Sequence, residues 1–266
     1  MIPDVQAALD NVLSSAVSLR NAGGAGRAFE LFVMTGVACE LKSRGFDVWL
    51  QRSDETRIAP TDSNRDFIQR GGAPTGVTSK SQGDRNASVI GFRWARRPAW
   101  EIWNGIQFEG RSGALHEIDL AIVPASVGAA LRSRSSTGYP IGRPRIAIEC
   151  KDVQGAGSVD EMRAFVARLY DLTLLYAHHQ HFAFAGPPQA IRPGAPPGGK
   201  HRPVLTYWQE NRRTLNVIAR RTGFVHGASA MTGYHAIEPH GGIVVGSSTT
   251  ASLIDSVASW IVAQGY

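Results

Sequence analysis

The sequence predicts an α/β fold, and three observations carry that expectation. The chain opens with a helix-helix-strand pattern. Two apolar, strand-like runs follow, "ALHEIDLAIVP" at 114–124 and "RIAIECKDV" at 145–153, and an amphipathic helix comes directly after the second. With 266 residues and 43% hydrophobic content, the chain can bury a core as one large domain or two small ones. No internal repeat or sharp compositional boundary divides it, so a single domain over 1–266 is expected.

Residues 3–20 place Val5, Leu9, Val12, Leu13, Ala16 and Val17 at helical spacing, and "NAGGAG" ends that helix. A second helix is predicted from Arg27 to Ser43, with Phe29, Phe32, Val33, Val37 and Leu41 as its apolar stripe; Gly45 then stops it before the short strand "FDVWLQ". Residues 52–90, rich in Ser, Thr, Asn, Asp, Gly and Arg, read as a long loop or insertion. From Val89 the chain turns aromatic and basic, "VIGFRWARRPAWEIWNGIQFEG", which predicts two strands or a hairpin before the strand closed by Pro124. A polar link, Ser126 to Arg145, leads to the second apolar run.

In "SVDEMRAFVARLYDLTLLYAHH", Ser158 and Glu161 form a capping box, and Met162, Phe165, Val166, Leu169, Leu172, Thr173 and Tyr176 line one face of a helix. Beyond it the expectation is a strand at "HFAFAG", a Pro/Gly-rich loop from Pro187 to Pro203 and a helix near Trp208 to Arg221. Short strands from Gly223 to Val245 and a closing helix from Ala251 to Gln264 complete the chain.

Composition narrows the function classes. No stretch approaches the roughly 18 uncharged apolar residues of a membrane span, and Asp4 and Asp10 stand where an export signal would be basic. A soluble, cytoplasmic protein is expected, and Cys39 and Cys150 match no zinc or disulfide spacing. The formal charge of +6 favours an anionic partner. Of the 28 cationic residues only Lys42, Lys80, Lys151 and Lys200 are lysines. Arginine suits bidentate phosphate contact, although genomic bias towards arginine, alanine and glycine explains the same balance.

The chemistry concentrates in the two apolar runs. Strand alternation puts Ile146, Ile148 and Cys150 on one face and Ala147, Glu149 and Lys151 on the other. In "HEIDLAIV" it predicts Ile118, Leu120 and Ile122 on one face, with Glu117, Asp119, Ala121 and Val123 opposite. A buried carboxylate costs several kcal/mol unless something offsets it, and a hard divalent cation does so. Asp119 and Glu149 are therefore candidate Mg²⁺ ligands. Lys151 lies one side-chain period beyond Glu149, in reach of a water or phosphate oxygen beside the metal. Alone, E-x-K reads as a salt bridge at a strand end; the acid on the preceding strand and the helix that follows turn the reading towards chemistry.

The order "GRAFE", "HEIDLAIV", "IAIECK", "SVDEMRAFVARL" resembles the PD-(D/E)xK nuclease superfamily, in its Mrr-like flavour, over roughly Gly26 to Tyr176. The resemblance implies a restriction-endonuclease-like mixed central sheet flanked by helices on both faces. Its catalytic core would span about 26–186, with the insertion at 52–90 and a C-terminal extension, 187–266, that the resemblance does not reach. It also implies an Mg²⁺-dependent (or Mn²⁺-dependent) DNA endonuclease in prokaryotic anti-phage defence or restriction, acting as a homodimer or as a subunit of a larger defence complex. Matched by position, the strand aspartate is Asp119, the acid-x-lysine pair is Glu149 and Lys151, and the helix glutamate is Glu30. Ile118 replaces the proline that names the motif, and it is not a ligand position. A glutamate early in a helix also simply suits the helix dipole, and Glu117 is either a further acid or a solvated strand residue. A non-cleaving module on a nuclease-derived fold, and a structure-selective repair or junction nuclease, are the alternatives.

Weaker signals complete the reading. Arg93, Trp94, Arg96 and Arg97, with Trp100 and Trp103, interleave guanidinium and indole groups as a nucleic-acid contact would; a tryptophan core with a solvated arginine edge gives the same pattern. His178, His179 and His181 lack partner acids and are rejected as a metal site. "GAPPGGK" has His201 in place of the Ser/Thr of a phosphate-binding loop and reads as a loop. Arg212, Arg213, Arg220 and Arg221 extend a basic track along the predicted helix or merely solvate it.

Overall fold

The computed structural model describes residues 1–69, 87–110, 112–132, 144–172, 174 and 214–264. In chain order these form α1 (Ile2–Leu13), β1 (Ser18–Arg20), α2 (Ala25–Ser43), β2 (Asp47–Gln51), β3 (Asp66–Ile68), β4 (Val89–Arg93), β5 (Trp100–Glu109) and β6 (Leu115–Pro124). There follow α3 (Ala125–Arg132), β7 (Ile146–Lys151), α4 (Val159–Asp171), β8 (Leu215–Arg220), α5 (His226–Tyr234), β9 (Ile237–His240) and α6 (Ser248–Ala263). The chain is α/β, with a mixed seven-stranded sheet among the described residues in the order β2-β4-β5-β6-β7-β8-β9. Neighbours from β2 to β7 run antiparallel, and β7, β8 and β9 run parallel. β1 and β3 form a separate parallel pair.

Helices cover both faces. Val5 and Leu9 of α1, Phe29 and Leu41 of α2, and Leu253 and Val257 of α6 share one core with Leu50, Ile90, Ile122 and Ile148 of the sheet. Met162, Phe165 and Leu169 of α4 and Ala228 of α5 share the other with Ile106, Phe108, Val123 and Ile218. Each such large apolar side chain stabilises the fold by about 1.5–3 kcal/mol on full burial.

The capping box starts α4 as its sequence requires: Ser158 Oγ accepts from the Glu161 amide at 3.2 Å, and the Glu161 carboxylate accepts from the Ser158 amide at 2.9 Å. Met162, Phe165, Val166, Leu169 and Leu172 are buried as the stripe demands, whereas Thr173 and Tyr176 lie outside the described residues.

Several elements depart from expectation. The first helix stops at Leu13 because Ser14 takes a left-handed conformation (φ 58). The chain then folds back, with Gln6 Nε2 donating to the Val17 carbonyl at 2.7 Å, so Val17 is buried without being helical. β3 and the start of β4 fall inside the stretch expected to be loop, and α3 occupies the start of the predicted polar link. The helix expected near Trp208 to Arg221 is instead strand β8 at its C-terminal end, all six residues of which are buried between β7 and β9. Part of the segment expected as short strands is helix α5. Arg220 and Arg221 consequently form no helical basic track: Arg220 is buried and bonds the Gly155 carbonyl, and Arg221 pairs with Asp152. Residues 214–264, expected as an extension, supply two strands of the central sheet and a helix of its core. The "HFAFAG" strand, the Pro187–Pro203 loop, "GAPPGGK", His178, His179, His181, Arg212 and Arg213 lie outside the described residues.

Candidate active site

The site is built where two strands part. β6 and β7 pair only through Ile122↔Ile146, Ala121↔Ala147 and Leu120↔Ile148, after which their ladder ends while β7 stays paired to β8 as far as Lys151↔Arg220. The Cys150 amide, which a longer ladder would have given to β6, donates instead to Asp119 Oδ2 at 2.8 Å. The fork thus carries Asp119 on one arm and Glu149 and Lys151 on the other.

A break in strand alternation puts Asp119 there. Ile118 is buried on the α4 face together with Ala121 and Val123, whereas Leu120 and Ile122 are buried on the α2 face. This corrects the expectation that Ile118, Leu120 and Ile122 share a face. β5 changes in step, with Ile102 on the α2 face and Ile106 on the α4 face. The paired residues run from Asn104↔Leu120 to Ile106↔Ile118 and skip Gly105 opposite Asp119. Gly105 has φ 60, a conformation glycine adopts without steric cost. The flip moves Ile118 to the α4 face and leaves the Asp119 carboxylate at the fork.

Glu149 is 1% exposed, and its Oε1 meets two cations, Lys151 Nζ and Arg168 Nη2, the latter at 2.5 Å. Lys151 Nζ also lies 3.9 Å from Asp119 Oδ2. Arg168 reaches across from α4, with Nη1 donating to the Glu117 carbonyl at 3.1 Å. Glu149 Oε2 is buried with no hydrogen-bond partner. Glu30 approaches from α2, its Oε2 accepting from Asn104 Nδ2 at 2.6 Å; the same nitrogen donates to the Asp119 carbonyl at 3.2 Å.

Burial governs the protonation of these groups. It pushes Asp119 up to about 6, aided by repulsion from Glu149 and opposed by Lys151, the Cys150 amide and Arg168. Glu30 rises to about 7, again through burial, with the Asn104 hydrogen bond pulling it down and Asp119 and Glu117 pushing it up. Burial alone would lower the Lys151 pKa, but the Glu149 and Asp119 carboxylates outweigh it, so the ammonium is held above its usual range. Burial raises the Cys150 thiol, whose side chain belongs to the α2-face core.

The structure therefore brings Asp119, Glu149 and Lys151 into one cluster, with Glu30 joined to it through Asn104. Arg93, Trp94, Arg96 and Arg97 stand elsewhere. They form the β4–β5 connection, whose first cross-strand pair, Phe92↔Trp100, lies beside Trp100↔Pro124. Asp119 is five residues from that end, roughly 16 Å along the strand. Arg93 pairs with Asp47 at 3.0 Å, the Trp94 ring packs on Phe46, and Trp100 and Trp103 are buried. Three members were missed in the sequence: Arg168, Asn104 and Gln69, whose Nε2 donates to Asn104 Oδ1. An arginine beside the apolar stripe of a helix, and an Asn-Gly pair inside an apolar strand, were the available signals for the first two.

A hard cation fits this chemistry. All the candidate ligands are carboxylate oxygens, one buried oxygen lacks a partner, and two of the acids hold protons more tightly than usual. Among the described residues, no three His, Cys, Asp or Glu side chains already stand together as a metal cage. Comparison of the chain with protein-family models, with curated proteins and with solved structures finds no match.

Proposed function

We propose that this chain is an Mg²⁺-dependent nuclease of the PD-(D/E)xK superfamily, with a restriction-endonuclease-like core, that hydrolyses phosphodiester bonds in DNA. One observation carries the reading. Two acids and a lysine from adjacent strands converge where the strands separate, and one buried carboxylate oxygen, Glu149 Oε2, is left without a partner. Asp119 and Glu149 would hold the cation, with Glu30 adjoining. Bound there, Mg²⁺ would supply Lewis-acid polarisation of the phosphate and a more acidic water.

The remaining steps belong to side chains. Lys151, anchored between Glu149 and Asp119, is placed to donate to a phosphate oxygen or to the attacking water, and to offset the negative charge that grows at phosphorus. Arg168, on the same Glu149 oxygen, is a second cation for the backbone phosphate. Anti-phage defence in the cytoplasm, as a homodimer or in a larger complex, is the setting the family resemblance implies; two copies would supply one site per DNA strand.

The test is cleavage of supercoiled plasmid by the wild type and by Lys151→Ala, with Mg²⁺, Mn²⁺ or EDTA. Nicking or linearisation that both EDTA and the substitution abolish supports the reading. An intact plasmid with either metal opposes it. A second reading, a module that binds nucleic acid or a partner without cutting, is favoured by a different observation: Lys151 and Arg168 already neutralise Glu149, as in a purely structural ion-pair cluster. Such a module would retard DNA on a gel without cutting it.

A further inference from the structure

Behind Glu30 stands a chain of two buried amides. Gln69, 2% exposed, follows β3 and is fixed by its own backbone, its amide donating to the Arg20 carbonyl at 3.0 Å. Its Nε2 donates to Asn104 Oδ1. Asn104, 8% exposed, then offers Nδ2 to two acceptors, Glu30 Oε2 and the Asp119 carbonyl. This pattern fixes the orientation of the Asn104 amide. The Asp119 carbonyl can only accept, so it requires Nδ2 on that side, and turning the amide over would set oxygen against that carbonyl oxygen.

The bridging nitrogen does more than satisfy a buried polar group. It ties the side chain of one proposed ligand, on α2, to the backbone of another, on β6, across the strand flip at Gly105. Regular alternation from Ile102 puts Asn104 on the α2 face, and the alternation of β5 breaks just after it, so that Ile106 lies in the other core. A ligand held by a buried hydrogen bond keeps one rotamer and one distance to its neighbours, and loss of such a support typically weakens metal binding 10–100-fold.

We propose that Asn104, oriented by Gln69, is a positioning residue that sets the Glu30 carboxylate relative to Asp119 for divalent-cation binding; the proposal rests on the nuclease reading above. Asn104 acts through the Glu30 carboxylate and the Asp119 backbone, its own oxygen being taken up by Gln69. Gln69 acts one step further out, through the Asn104 amide alone. The two side chains therefore work in series, and their effects on the cation are not additive.

The experiment uses the full-length chain as wild type, Asn104→Ala, Gln69→Met and the double variant. Mn²⁺ binding is measured by calorimetry, the half-saturating Mn²⁺ and limiting rate by plasmid nicking, and folding by the thermal transition in EDTA. Asn104→Ala is expected to raise both the Mn²⁺ Kd and the half-saturating concentration roughly 10–100-fold, with a smaller loss in the limiting rate at saturating metal. Gln69→Met should give a shift of roughly 3–10-fold, and the double variant should be no worse than Asn104→Ala.

A wild type that binds Mn²⁺ and cuts, beside a folded Asn104→Ala whose Mn²⁺ Kd lies within about twofold of it, overturns this inference and leaves the nuclease reading standing. Effects of the two substitutions that add fully overturn the serial arrangement. A wild type that neither binds Mn²⁺ nor cuts removes the nuclease reading and this inference with it. If Asn104→Ala does not fold, Gln69→Met alone decides by the same Kd criterion.

Discussion

Two glutamates, Glu101 on β5 and Glu149 on β7, are both almost fully buried within the same sheet, and hydrogen-bond donors are spread over their two oxygens differently. Each oxygen of Glu101 has a neutral donor: Gln51 Nε2 at 3.2 Å to Oε1 and Trp103 Nε1 at 2.9 Å to Oε2. Glu149 has two cations crowded on one oxygen and none on the other, which has no hydrogen-bond partner. Spreading donors over both oxygens is how a fold makes a buried carboxylate tolerable. Concentrating charge on one oxygen, beside a second acid at a fork in the sheet, leaves the other without a hydrogen-bond partner, which is the oxygen the proposed cation would use. The difference teaches that burial alone does not describe a carboxylate's surroundings; the distribution of its partners does.

The largest effect that would break this comparison is on cleavage. Lys151→Ala and Glu149→Gln should each lower plasmid cleavage by about 10²–10³-fold or more, whereas Glu101→Gln should leave the rate per folded molecule unchanged. Equal losses at the two glutamates would erase the distinction. Next comes the cation: Asp119→Asn should weaken Mn²⁺ binding by calorimetry at least about tenfold, while Glu101→Gln leaves it as in the wild type.

Stability should respond in the opposite sense. A Cβ at Gly128 on α3 would lie 1.9 Å from Glu101 Oε2. Gly128→Ala should therefore lower stability by about 1–3 kcal/mol in denaturant titration without altering the cation affinity.

The smallest effect is a pH dependence. Glu30 holds its proton up to about 7 in the folded chain, against an ordinary value of 4.5. Folding therefore pays a cost that is full above about 7, shrinks as pH falls from there to 4.5, and is absent below. In EDTA, Glu30→Gln should be more stable than the wild type above about pH 7 by on the order of 1–3 kcal/mol, and the gap should close towards pH 4.5. Thermal melts of both proteins across that range check the sign, and a gap that widens on acidification would contradict it.

The local signals that the sequence carried strongly are those the structure follows. The Ser158/Glu161 box begins α4, the stripe from Phe29 to Leu41 faces the core of α2, and the 89–109 hairpin forms. In β7 strict alternation places Glu149 and Lys151 together, away from Ile146, Ile148 and Cys150. Where both faces of an element are buried, periodicity loses its power. The six residues of β8 are apolar on both sides or carry buried polar groups, so the strand read as part of a helix. Helix α5, with two glycines and two alanines in nine residues, offered no apolar stripe to read.

The same division runs through the candidate site. Asp119, Glu149, Lys151 and Glu30 were legible because each sits within a few residues of a strong local pattern. Arg168, Asn104 and Gln69 were not, because what assigns them is contact across 19 to 74 positions of chain. The flip at Gly105 and Asp119 was equally invisible, since it depends on two strands changing face together.

By itself, then, the sequence determined which side chains of α2, α4 and β7 are buried as a set and which acids and lysine those segments carry, because alternation and helical periodicity are properties of neighbouring residues. Only the tertiary structure decided that β6 and β7 part beyond Leu120↔Ile148, that Asp119 turns into the gap, and that two buried amides hold Glu30 beside it. Those arrangements follow from the packing of distant elements against one another, and no local pattern encodes where a ladder must end.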